Sequence, residues 1–75
     1  MFERIRNLRE DKDLTQKEMA KILSIAQTTY SDYELGKLNI PLQTLILLAQ
    51  FHNTSIDYIL ELTDEKRPYK RKGTR

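Results

Sequence analysis

A chain of 75 residues without cysteine supports one domain, held together by neither a disulfide framework nor a thiolate metal site. The formal charge of +2 conceals an asymmetry: residues 1–63 hold seven basic and nine acidic side chains, whereas residues 64–75 hold six and two. The longest apolar run, Leu45 to Ala49, is far short of the ~20 residues that cross a bilayer, and Met1-Phe-Glu-Arg-Ile5 shows no secretory pattern, so the expectation is a soluble cytoplasmic protein.

Apolar side chains recur at helical spacing and nowhere alternate with period two, which predicts an all-α fold. Phe2, Ile5, Leu8 and Arg9 line one face of a first helix reaching about Lys12, with Asp13 as a tolerable left-handed stop. Thr15 fits an N-cap, and Glu18 three places on completes a capping box for a second helix. That helix carries Met19, Ala20, Ile22 and Leu23 and ends near Ser24. A third runs from Gln27 to about Leu35 and stops at Gly36, the residue type best suited to a left-handed cap. Pro41 prepares a fourth, Leu42 to about Phe51, with Asn53 as its left-handed exit. Ser55 caps a fifth through Leu62, with Asp57 in its first turn, where the helix dipole favours a carboxylate.

The stretch from Thr15 to Gly36 carries the chemistry. Two short helices are separated by Ser24-Ile25-Ala26, and Ala20 sits where a larger side chain would hold them apart. Tyr30, Tyr33 and Ala26 share one side of the later helix and are expected to face the core. Gln27, Thr28, Ser31 and Asp32 then fall on the opposite side, all polar and all able to hydrogen-bond. Such an inventory suits a helix whose outer face reads base edges in a major groove.

The run Leu14-Thr-Gln-Lys-Glu-Met-Ala-Lys-Ile-Leu-Ser-Ile-Ala-Gln-Thr-Thr-Tyr-Ser-Asp-Tyr-Glu-Leu-Gly-Lys37 resembles the Cro/repressor-type helix-turn-helix family, also called the xenobiotic-response-element family. Leu48-Ala49 and Asn53-Thr-Ser-Ile-Asp-Tyr-Ile-Leu60 extend the likeness over residues 3 to about 63. The resemblance implies a compact five-helix repressor-like domain, its helix-turn-helix formed by helices two and three. It also implies a bacterial or phage-encoded regulator, most simply a repressor, that binds double-stranded DNA as a homodimer on a palindromic operator. Gln16 matches the family glutamine that contacts a phosphate and braces the first residue of the recognition helix, here Gln27. Gln27 suits bidentate pairing with adenine, Thr28 and Asp32 match further base-facing positions, and Ser31 reaches a base or a phosphate. Lys37 and Asn39 match the loop along the DNA backbone, where contacts orient without choosing sequence. Amides near Leu42 and Gln43 are donors for another phosphate. Arg9 and Glu34 match a family ion pair between helices one and three.

Two positions depart from the family pattern. Ser24 stands where glycine is usual, at a cost on the order of 1 kcal/mol if the backbone stays left-handed. Asp32 places a carboxylate near phosphates, where it favours a cytosine amino group and repels other partners. His52 falls where the family has an apolar side chain and is read as a ring at the edge of the core.

Helix four is apolar around most of its circumference (Leu42, Leu45, Ile46, Leu47, Leu48, Phe51), which fits a wrapped central helix or a surplus face for dimerisation with Tyr58 and Leu62. Residues 64–75 read as a flexible basic tail: a solvated terminus, a phosphate-binding arm or part of a partner-binding segment. The alternative function is an antitoxin or adaptor gripping a protein partner. No enzyme, cofactor, metal or small-molecule substrate is expected, because no base, nucleophile and orienting group converge in the sequence.

Overall fold

The computed structural model describes residues 2–68. Five helices follow in order, α1 (Glu3–Asp11), α2 (Gln16–Leu23), α3 (Gln27–Leu35), α4 (Leu42–Phe51) and α5 (Ile56–Ile59), with no strand among the described residues. The all-α, five-helix expectation holds.

Local sequence explains where these helices begin. The Thr15 hydroxyl accepts from the Glu18 amide at 3.1 Å while the Glu18 carboxylate accepts from the Thr15 amide at 2.8 Å, so the capping box is complete. The Thr15 amide, and after it the Thr15 hydroxyl beside it, holds the Glu18 carboxyl below its ordinary value. Ser55 caps α5 by accepting from the Tyr58 amide at 3.0 Å.

All five helices end alike. A residue with positive φ follows each one, namely Asp13, Ser24, Gly36, Asn53 and Glu61. After α2, for example, the Ser24 amide donates to Lys21 O and the Ile25 amide to Ala20 O, the paired bonds of a Schellman motif. Only Gly36 adopts this conformation without a steric cost, and Asp13 and Asn53 tolerate it. Ser24, at φ 58° and ψ 42°, and Glu61, at φ 63°, carry the strain. Ser24→Gly is therefore expected to raise stability by about 0.5–1 kcal/mol, seen as a higher urea midpoint at unchanged slope. A lowered midpoint would show that the serine is not strained there.

Packing follows the apolar stripes. Ile5 and Leu8 of α1, Met19, Ala20 and Leu23 of α2, Tyr30 and Tyr33 of α3, Leu45 and Leu48 of α4 and Ile59 of α5 close one core. Ala20 is buried where α2 crosses α3, the most extensive helix pairing in the fold. Ile22, by contrast, is exposed. So is Ala26, and the expectation that it faces inward is corrected: at φ −69° and ψ 146° it precedes the first turn of α3, so the helical register does not extend back to it.

α5 is shorter than expected, ending at Ile59 rather than Leu62. Its apolar spacing continues, but Glu61 turns left-handed and the Leu62 amide bonds back to Asp57 O at 2.8 Å. Arg4 of α1 holds this turn in place. Its guanidinium donates to the carbonyls of Tyr58 and Thr63, meets the Asp64 carboxylate at 3.0 Å and lies 4.1 Å from the centre of the Tyr58 ring.

The contacts continue past residue 63. Thr54 donates its hydroxyl to Lys66 O, and the Lys66 ammonium approaches Asp11 at 3.9 Å. Of the basic tail expected from the sequence, residues 64–68 thus run beside the domain, and residues 69–75 lie outside the described residues.

Candidate nucleic-acid interface

α3 divides into two sides. Tyr30 and Tyr33 are buried in the core, while Gln27 and Thr28 are exposed and Ser31 and Asp32 are partly exposed. All four expected reading positions therefore lie together on an uncovered polar strip, with Gln27 at the first turn. Neither α3 nor α4 has a side-chain cap at its start, so among the described residues the first-turn amides of both helices, including those near Leu42 and Gln43, receive no capping side chain. Lys37 and Asn39 are exposed in the connection between these helices.

Beside the strip lies a polar cluster shared by three helices. Arg9 of α1 donates to Glu34 of α3 through Nε at 2.8 Å and Nη2 at 3.2 Å, the parallel fork that best matches a carboxylate. Its Nη1 donates to Leu14 O at 2.8 Å, tying the α1–α2 connection to the same group. The side chains are 12% and 3% exposed, so this is a buried pair. Burial alone would push the Glu34 carboxyl up; hydrogen bonding from Arg9, the Tyr30 hydroxyl nearby and Gln16 outweighs it and holds the group below the ordinary carboxylate value. Burial drives the Tyr30 phenol strongly upward, and its hydroxyl sits beside Glu34 without completing a well-formed hydrogen bond.

Gln16 opens α2 and is half-buried, next to this cluster. Its amide nitrogen donates to Glu34 Oε1 at 3.0 Å. This bond occupies only the nitrogen end of the amide, whereas the brace to Gln27 that the resemblance implies uses its oxygen end. Nothing in the local sequence marks this bond. The Arg4 contacts were missed too, although Arg4 stands one turn before Leu8, at the edge of the inward stripe of α1.

Residues 5–59 match the helix-turn-helix family model. The chain belongs to the Cro/repressor-type helix-turn-helix family.

Within that family it is 39% identical over 66 residues to the transcriptional regulator YobD of Bacillus subtilis, covering 88% of this chain and 59% of YobD. It is 38% identical over 53 residues to RstR, a cryptic phage CTXphi transcriptional repressor from Vibrio cholerae, covering 71% of this chain and 48% of RstR. The control protein C.SmaI of Serratia marcescens is 34% identical over 60 residues, covering 80% of this chain and 71% of that protein. The chain thus spans about half the length of several relatives it matches. The matched segment of the family model runs from Ile5 to Ile59 and so contains α2, α3, the intervening turn and the whole polar strip.

Proposed function

We propose that this chain is a transcriptional regulator that binds double-stranded DNA, laying the outer side of α3 in the major groove. The observation that carries this reading is the polar strip of Gln27, Thr28, Ser31 and Asp32, left uncovered while the opposite side of the same helix is packed into the core. Gln27 pairs with an adenine edge, Thr28 and Ser31 contact neighbouring bases or phosphates, and Asp32 accepts from a cytosine amino group. Gln16, Lys37, Asn39 and the first-turn amides of α4 hold the sugar-phosphate backbone, which sets register without choosing sequence. In this reading the chain represses transcription in the cytoplasm of a bacterial or phage setting, and the phage transcriptional repressor among its relatives supports the repression.

The operator is palindromic in this reading and is bound by two copies, with half-sites about one helical turn apart. Leu42 and Leu62, 66% and 73% exposed, are apolar side chains that this reading assigns to the contact with the second copy.

Selection on random duplexes tests both parts, since it returns a motif and its symmetry. On the selected site, Gln27→Ala is expected to cost about 1–3 kcal/mol of binding and to relax preference at one base position. Lys37→Ala should instead weaken all sequences by a similar factor and lower the salt slope by about one. Equal affinity of the unmodified protein for selected and scrambled duplexes would overturn the reading.

A further inference from the structure

Glu34 does more than neutralise Arg9. Its Oε1 is shared between Arg9 Nη2 at 3.2 Å and the amide nitrogen of Gln16 at 3.0 Å. An ionised carboxylate only accepts hydrogen bonds, so this contact turns the nitrogen end of the Gln16 amide toward α3 and excludes the flipped orientation, in which two oxygens would face each other. The amide nitrogen carries two hydrogens. Glu34 engages one, and the second remains on the same nitrogen of Gln16, the half-buried first residue of α2.

A phosphate oxygen, like a carboxylate, only accepts. We infer that Glu34 is a positioning residue for the DNA backbone contact: it fixes the Gln16 amide so that a phosphate meets a donor at that end. The inference rests on the duplex-DNA reading above. Glu34 lies on α3, Gln16 on α2 and Arg9 on α1, so the phosphate contact is registered against the seating of the recognition helix itself. A glutamine free in solution exchanges between its two amide orientations; here a buried anion has chosen one.

The test is a double-mutant cycle in affinity for a random-sequence duplex, under conditions where every variant is folded. Gln16→Ala alone is expected to weaken binding roughly fivefold, as loss of one hydrogen bond does. Glu34→Gln should weaken it by a smaller factor when Gln16 is present and by none when it is already alanine. The stability loss from Glu34→Gln, read from melting, is by contrast expected in both backgrounds. An affinity loss of the same factor in both backgrounds would overturn the inference, since a purely structural effect does not pass through Gln16.

A second measurement needs no variant. In the unmodified protein, the nuclear magnetic resonance positions of the two hydrogens of the Gln16 side-chain amide should shift unequally when duplex is added, the one not bonded to Glu34 by more. Equal displacement of the two overturns the assignment. Absence of any duplex binding by the unmodified protein would bring down the DNA reading itself, whereas binding with an additive cycle removes only the role of Glu34.

Discussion

Arg9→Met is expected to destabilise the domain by about 3–5 kcal/mol, the usual cost of leaving one partner of a buried ion pair alone. A small domain has only about 0.05–0.15 kcal/mol of net stability per residue, so this one change removes a large part of the total. Glu34 is the reason: its side chain is 3% exposed, and without Arg9 the Gln16 amide is its only remaining well-formed donor among the described residues. Burial then dominates, and the Glu34 carboxyl rises above its ordinary value. In the unmodified protein the same group is held below it, so its contribution is fully present above the unfolded value of 4.5 and is lost as pH falls through the folded value. In Arg9→Met the sign reverses, and the penalty grows as pH rises above 4.5. The gap between the two proteins should therefore be widest near neutrality and narrow in acid, as urea unfolding at several pH values will reveal. A pH-independent gap below 1 kcal/mol would mean that solvent reaches the pair.

Much of this fold was legible because helix ends are written in local chemistry. Thr15 with Glu18, Ser55, Gly36, Asn53 and Asp13 each satisfy amides or carbonyls within a few residues, and all six were placed from sequence. The polar strip on α3 was legible for a similar reason, since Tyr30 and Tyr33 fix which side turns inward. Contacts made to backbone carbonyls, by contrast, leave no mark on the partner's side chain. Arg4 bonds Tyr58 O and Thr63 O, and Thr54 bonds Lys66 O, so neither the early end of α5 nor the course of residues 64–68 could be read from composition. Glu61 shows the consequence: a residue poorly suited to positive φ occupies it because tertiary contacts on both sides demand the turn. The Gln16–Glu34 bond joins two side chains and was illegible for a different reason. It depends on how α2 crosses α3, a three-dimensional fact, whereas the resemblance supplied only the residue types.

His52 sets a second large pH effect, at the far end of α4. The ring is 5% exposed, packs edge-on against Phe51 with centroids 5.0 Å apart, and has no hydrogen-bond partner at either nitrogen among the described residues. Burial, together with the nearby ammonium groups of Lys12 and Lys66, lowers its pKa from 6.5 to about 4. The unfolded chain takes up a proton near 6.5 that the folded chain refuses until about pH 4, so the unfolded state binds more protons across that window. Stability must fall as pH drops from 6.5 to 4, by about 3 kcal/mol in all. Carboxylates such as Glu34 add their own loss at the acid end, but they do so equally in a variant without the imidazole. His52→Phe keeps a ring beside Phe51 and removes the titration. Its stability should therefore stay nearly level between pH 6.5 and 5, where the unmodified protein already declines. Parallel curves for the two proteins over that interval would show that His52 exchanges protons as freely in the folded state as in the unfolded one, and that the ring is not sealed beneath Lys12 and Lys66.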